Sequence, residues 1–151
     1  FFRKNTKFEL KEKQKIKNWI INTTQEEKFN IGDIGIIICD DKYLLNLNQK
    51  YLNHDTFTDI ITFDYTENRI INSDIFISIE RVKENAEELN IELDKEICRV
   101  IIHGVLHLMG YKDKTANQKK LMTEKEDYYL SKYPKTKPIK RIVSRETSKD
   151  K

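Results

Sequence analysis

The segment LDKEICRVIIHGVLHLM, residues 93–109, predicts the most apolar helix of the chain. Asp94 and Glu96 lie at its start, where the positive end of the helix dipole favours acidic side chains. Gly110 follows, and a glycine in a left-handed conformation commonly ends a helix and turns the chain. A helix with so few polar residues belongs in the interior, so the other elements must surround it.

The segments on either side of this helix show the periodicities of further helices and strands. Four amphipathic helices are predicted: from near Glu9 to before Thr24, from Asp41 to near Asn53, from Val82 to Leu89, and from Thr115 to Pro134. The last begins with Thr115 and Gln118 at the spacing of a capping box. Strands are predicted at Ile34–Cys39, Ile60–Phe63 and Ile75–Ile79, and a polar turn lets the last two form a hairpin. Helices mixed with strands that need not be parallel favour an α+β fold.

Length and charge indicate one domain followed by a basic tail. The chain has 151 residues, which suffices for a single domain, predicted here at residues 1–133. Residues 134–151 contain seven basic and two acidic residues, so this tail carries +5 and leaves −2 for the remainder of a chain whose net charge is +3. We expect a mobile tail and a body that binds a polyanion only through a local arrangement of charge.

The sequence also indicates in which cellular compartment the protein is expected. No apolar segment is long enough to cross a membrane, and the first residues, Phe1 to Lys4, lack the apolar core of a secretion signal. We therefore expect a cytoplasmic protein without a membrane partner. The two cysteines, Cys39 and Cys98, are too far apart in sequence for a close zinc-ligand pair, and both are expected to be buried as small hydrophobic residues.

Two histidines on the apolar helix predict a metal site. His103 and His107 are four residues apart and therefore share one helix face. The turn at Gly110 allows Asp113 to fold back toward them, which gives the two-histidine, one-carboxylate set of catalytic zinc sites. If Asp113 is not the third ligand, Glu126 is the next candidate. Such a histidine pair also arises by chance, but here a shared metal satisfies two imidazoles on the most apolar helix.

The residues around this pair resemble a known family. The stretch His103–Asp113, HGVLHLMGYKD, is similar without gaps to the His-Gly-x-Leu-His-Leu-x-Gly-Tyr-Asp-His signature of the YbeY endoribonucleases. Segments 47–51 (LNQKY), 58–63 (TDIITF) and 74–78 (DIFIS) resemble other segments of that family. The resemblance implies a small mixed sheet flanked by helices, one Zn²⁺ per chain, and a single-strand-specific endoribonuclease. It also implies a role in 16S rRNA 3′-end maturation and quality control of the small ribosomal subunit.

The chain departs from the family's pattern at two positions. Asp113 stands where the family has its third histidine, and Leu52 stands where the family has an arginine. Asp113 is still a competent ligand, although its negative charge should make the ion a weaker Lewis acid. Leu52 removes a cation expected to contact a phosphate.

Four other residues are candidates for the reaction. Lys112 and Lys114 flank Asp113 and could bind RNA phosphates, or they could be ordinary solvated lysines. Arg99, one turn before His103, and His54, two residues after Leu52, could each contact phosphate or act in catalysis, or could have structural or surface roles.

Two rival functions follow from the same residues. A zinc peptidase would share the histidine pair, but peptidases of the His-Glu-x-x-His kind carry their general base where this chain has Gly104. A ribosome-assembly factor that binds zinc for stability and rRNA without cutting it is the second rival, and Leu52 supports it.

Overall fold

In the computed structural model, which describes residues 1–52 and 58–136, helices and strands alternate irregularly along the chain. The elements are β1 (Phe2–Lys4), α1 (Lys13–Glu26), β2 (Asn30–Cys39), α2 (Asp41–Leu52), β3 (Ile60–Asp64), β4 (Ile70–Ser78), α3 (Ile79–Leu89), α4 (Leu93–Leu108) and α5 (Ala116–Lys132). A 3₁₀ turn at Tyr133–Lys135 follows α5.

The strands form one mixed sheet in the order β1-β2-β4-β3. β2 runs parallel to both β1 and β4, whereas β3 runs antiparallel to β4. The predicted hairpin and the α+β class with a small mixed sheet are therefore confirmed. β1 was not predicted, because its three residues are too few to show a periodicity.

Helix α4 lies at the centre of the core, as its composition predicted. Ten of its residues are buried. They pack with inward-facing isoleucines of the sheet, such as Ile38 and Ile77, and with Trp19 of α1 and Tyr129 of α5. The Trp19 indole Nε1 donates a hydrogen bond of 2.8 Å to the Tyr129 carbonyl, which ties α1 to α5. The apolar helix thus fixes where the surrounding elements can lie.

Several element boundaries differ from the sequence predictions, including the end of α1, at Glu26 rather than before Thr24, and the start of α3, at Ile79 rather than Val82. α1 begins at Lys13 rather than near Glu9, because Glu12 has a left-handed φ of 56° and cannot continue a helix backward. β2 and β4 begin earlier than predicted, at Asn30 and Ile70. Their first halves carry polar residues whose backbones pair between the strands, and this pairing leaves no hydrophobic pattern in the sequence.

The two cysteines are buried free thiols, as predicted. Burial raises the pKa of Cys39 and of Cys98 to about 12, which favours the protonated thiol at neutral pH. Among the helices of residues 1–52 and 58–136, none has the length and hydrophobicity needed to cross a membrane. The predicted tail begins at Pro134, and its residues 137–151 lie outside the described part of the chain.

Candidate metal centre

Helix α4 and the loop after it bring three candidate ligand atoms to one point. His103 and His107 lie one turn apart on α4, with their Nε2 atoms 3.0 Å from each other. Asp113 Oδ2, from the loop before α5, lies 3.3 Å from each of these nitrogens. The three residues predicted as metal ligands are therefore the three that the fold places together.

The spacing of these atoms fits a single ion. Ligands held about 2.0–2.1 Å from a tetrahedral zinc lie about 3.3 Å from one another. The observed separations of 3.0 to 3.3 Å match that value. The side chains of His103, His107 and Asp113 are 23%, 31% and 39% exposed, so one side of the cluster remains open to solvent. Two histidines and one carboxylate are one of the donor sets found in catalytic zinc sites.

The loop that carries Asp113 is anchored on both sides. Gly110 has a φ of 100°, and the Tyr111 backbone N–H donates 3.1 Å back to the Leu106 carbonyl, so α4 ends in the left-handed turn that the sequence predicted. After Asp113, the predicted capping box of Thr115 and Gln118 is present, and the Gln118 side chain also accepts the Lys114 backbone N–H. Asp113 thus projects from a short, constrained segment.

Glu27, next to the end of α1, provides a further anchor for this loop. Its carboxylate accepts hydrogen bonds from the Tyr111 hydroxyl at 2.7 Å, from the Tyr129 hydroxyl, and from Lys125 Nζ at 3.2 Å. Burial acts to raise the pKa of Glu27, but the bonds from Tyr129, Tyr111 and Lys125 outweigh it and hold the pKa below its ordinary value. Glu27 is therefore an ionised acceptor that fixes Tyr111, two residues before Asp113.

Behind His103 lies a second buried carboxylate, that of Glu126 on α5. Glu126 Oε2 is 2.5 Å from His103 Nδ1, the ring nitrogen on the side away from the other two ligand atoms. Burial acts to lower the pKa of His103, but the hydrogen bond and the charge of Glu126 outweigh it, and with Asp113 they raise the pKa above its ordinary value. Glu126 thus contacts a ligand residue from behind and does not replace Asp113 among the three converging atoms.

Arg99 joins this group through two carboxylates. Its Nε donates to Glu96 Oε1 at 2.7 Å, its Nη2 contacts the other Glu96 oxygen, and its Nη1 lies 3.5 Å from Glu126 Oε1. The Glu96 side chain is fully buried, and Arg99 is 31% exposed. Burial acts to lower the pKa of Arg99, but the Glu96 hydrogen bond has the larger effect and raises it. Arg99 therefore lies beside the centre with its guanidinium held by two carboxylates.

The other candidate residues lie at different places. Lys112 and Lys114 are exposed on the ligand loop, on either side of Asp113. Leu52, in the position of the family's arginine, is the last residue of α2 and is 41% exposed. His54 lies outside the described residues.

Gly104, between the two histidines, is in close contact with strand β3. A Cβ at this position would lie 2.7 Å from Ile60 Cδ1 and 3.3 Å from Thr62 Cγ2. The glutamate that follows the first histidine in His-Glu-x-x-His peptidases would have to displace the Ile60 side chain here. The close packing instead brings α4 directly against the edge strand of the sheet.

Sequence reasoning did not find the roles of three glutamates. Glu96 was interpreted only as a dipole residue, Glu126 only as a substitute ligand, and Glu27 was not considered. One signal was available for Glu126, because it lies four residues after Met122 and three before Tyr129, on the buried face of α5. An acidic residue on an apolar helix face requires a partner.

Comparisons with known proteins identify one family and one solved structure with a similar fold. A family model described as Endoribonuclease YbeY matches residues 2–134. The Endoribonuclease YbeY of Flavobacterium psychrophilum is 50% identical over 82% of this chain and 88% of its own length. The protein of the same name from Karelsulcia muelleri is 46% identical over 83% of this chain and 89% of its own length. The solution structure of TM1509 from Thermotoga maritima has a TM-score of 0.60 and 28% identity, covering 88% of this chain and 89% of that one.

Proposed function

The chain belongs to the YbeY family of endoribonucleases, and from that premise we propose that its three-residue centre binds one zinc ion and serves the hydrolysis of single-stranded ribosomal RNA. As a member of this family, the chain is a nuclease that hydrolyses phosphodiester bonds of RNA. The proposal adds the metal, the single-stranded substrate, and the processing of 16S rRNA at its 3′ end on the small ribosomal subunit, in the cytoplasm. It also includes the family's part in ribosome quality control.

The observation that carries the proposal is the convergence of His103 Nε2, His107 Nε2 and Asp113 Oδ2 within 3.3 Å of one another. A zinc ion held there would supply Lewis acidity toward a water molecule and a phosphoryl oxygen. The two imidazoles bind as neutral ligands and Asp113 brings one negative charge. The ion and these three ligands alone would carry one net positive charge, which attracts a phosphodiester at short range.

The remaining contributions come from the chain around the centre. We expect an RNA strand to bind at the side of the cluster that is open to solvent, and the exposed Lys112 and Lys114, which flank Asp113, are the candidates to contact its phosphates. The guanidinium of Arg99 is held by Glu96 and Glu126, so its contact with substrate would have to use N–H groups left free by those bonds. His54 stays a candidate for proton transfer on the strength of its position in the sequence.

The test uses purified, zinc-loaded protein with three substrates: single-stranded rRNA, a fully paired RNA duplex, and casein. We expect cleavage of the single strand alone and one zinc per chain by metal analysis. The His103→Ala/His107→Ala double variant should lose both, whereas Asp127→Asn, an exposed aspartate on α5, should keep both. Full zinc occupancy in the double variant would refute the assigned ligands.

The same experiment separates the rival functions. Tight rRNA binding without cleavage would indicate the assembly factor that Leu52 suggested, and cleavage of casein would indicate a peptidase. The close packing beside Gly104 and the names of the relatives both speak against the peptidase.

A further inference from the structure

Glu126 is a buried carboxylate in direct contact with a ligand residue. Its side chain is 7% exposed, and one oxygen lies 2.5 Å from His103 Nδ1. Its other oxygen lies 3.5 Å from Arg99 Nη1. Burying a carboxylate is costly unless it is paired and hydrogen-bonded, so a favourable interaction must hold Glu126 there.

We infer that Glu126 is a positioning residue that sets the tautomer and the orientation of His103 for metal binding. A carboxylate next to Nδ1 accepts a hydrogen bond from the N–H at that nitrogen, so the proton stays on Nδ1 and the free lone pair of the ring is on Nε2. Nε2 is the atom that faces His107 and Asp113. The inference rests on the proposed metal centre and adds the residue that prepares one of its ligands.

Arg99 and Glu96 extend this arrangement into the core. Glu96, Arg99 and His103 follow one another at three- and four-residue intervals along α4, and so share one helix face. Arg99 makes a two-pronged contact with the fully buried Glu96 and reaches Glu126 on α5. The two contacts with Glu96 fix the orientation of the Arg99 guanidinium. The guanidinium in turn restrains the Glu126 oxygen that does not face His103. Arg99 thereby acts as the link between the core and the positioning carboxylate.

The charges in this row favour metal binding. Two carboxylates and one guanidinium leave one net negative charge behind His103. A negative group on the far side of an imidazole raises its basicity as a ligand and stabilises the cation that it binds. The effects of the hydrogen bond and of the charge can be separated by substitution. Glutamine keeps an oxygen that accepts the hydrogen bond from Nδ1–H but removes the charge, whereas leucine removes both.

The experiment measures zinc affinity of the full chain by competition with a chelator, for wild type, Glu126→Gln, Glu126→Leu and the control Glu124→Gln. Glu124 is an exposed residue two positions earlier on α5. We expect the control to match wild type, Glu126→Gln to bind several-fold more weakly, and Glu126→Leu to lose about 10- to 100-fold. Circular dichroism on heating identifies the variants that fold.

A second measurement reports the tautomer directly. Long-range ¹H–¹⁵N spectra of the zinc-free protein at alkaline pH should show the His103 proton on Nδ1 in wild type and Glu126→Gln, and a mixture of tautomers in Glu126→Leu. Wild-type zinc affinity in either folded Glu126 variant, or a proton on Nε2 in wild type, would overturn the inference. If wild type itself binds no zinc, it is the proposed metal centre that fails, and the two failures are thus distinguishable.

Discussion

Removing the Glu27 carboxylate should destabilise the protein and loosen the loop that carries Asp113. The side chain of Glu27 is 14% exposed and accepts hydrogen bonds from Tyr111, Tyr129 and Lys125. Tyr111 belongs to the loop after α4, and the other two residues belong to α5. Glu27→Ala therefore leaves three donors on two different elements without their shared acceptor.

The expected loss in the free energy of unfolding can be worked out for each hydrogen-bond donor in turn. Tyr129 is 1% exposed, and a buried donor left unsatisfied costs about 1–3 kcal/mol. Tyr111 and Lys125 are partly buried and can turn toward water, so each adds less. A total of about 3 kcal/mol corresponds to a fall in Tm of about 6–12 °C for a domain of this size.

The neighbouring residue supplies a matched control. Glu26 also pairs with a lysine of α5, Lys132, at 2.7 Å, but the two side chains are 39% and 45% exposed. Exposed pairs of this kind stabilise proteins little. Thermal unfolding at pH 7 should therefore show a large loss for Glu27→Ala and a small one for Glu26→Ala. Zinc affinity should fall in the first variant alone, because Asp113 lies two residues from Tyr111.

The stabilisation by Glu27 should also depend on pH in a defined direction. Its pKa in the folded protein lies below the ordinary value of 4.5. The folded state therefore favours the ionised form, and this stability is fully present above pH 4.5 and is lost as the pH falls through the folded value. The Tm difference between wild type and Glu27→Gln should shrink as the pH falls below 4.5.

Two results would refute this account of Glu27. The first is an equal loss of stability in Glu26→Ala and Glu27→Ala, which would mean that burial of the acceptor is unimportant. The second is a Tm difference between wild type and Glu27→Gln that stays constant from pH 7 into the acid range. Such constancy would show that the ionised form is not the one that folding stabilises.

Three further predictions concern the helix contact, the third ligand and the tail. Gly104→Val should cost about 1–3 kcal/mol, because even its Cβ would lie 2.7 Å from Ile60 Cδ1, and an unchanged thermal unfolding curve would contradict this. Asp113→Ala should lower zinc affinity and abolish RNA hydrolysis together, while Asp127→Ala leaves both unchanged; retention of normal zinc binding would remove Asp113 from the ligand set. Deleting residues 137–151 removes six basic and two acidic residues, and should weaken RNA binding mainly at low salt without changing Tm; a lower Tm would show that this segment packs on the domain.

The sequence was informative wherever a property repeats along a helix or a strand. The apolar run at residues 93–109 predicted α4 almost to its ends, and the capping box at Thr115 predicted the start of α5. The β-branched and aromatic residues of Ile60–Phe63 and Ile75–Ile79, with a polar turn between the two segments, predicted the hairpin of β3 and β4. These features depend on neighbours in sequence, so a single chain displays them.

The sequence was less informative about elements held by distant partners. β1 has three residues, and the first half of β2 carries Gly32 and Asp33, so neither shows a pattern. Both exist because a neighbouring strand supplies backbone partners. The start of α1 was misplaced for a similar reason, since the left-handed conformation of Glu12 is not visible in the identity of the residue.

For the candidate metal centre, the sequence by itself predicted the three residues that converge, because His103 and His107 share a helix face and Gly110 turns the chain so that Asp113 can return. The tertiary structure alone decided what surrounds them. Glu126 comes from α5 and Glu27 from α1, and only the packing of those helices on α4 brings the carboxylates to His103 and to Tyr111. Ligand spacing is a local property of the backbone, whereas the partners of a buried charge are set by the contacts between helices that are distant in sequence.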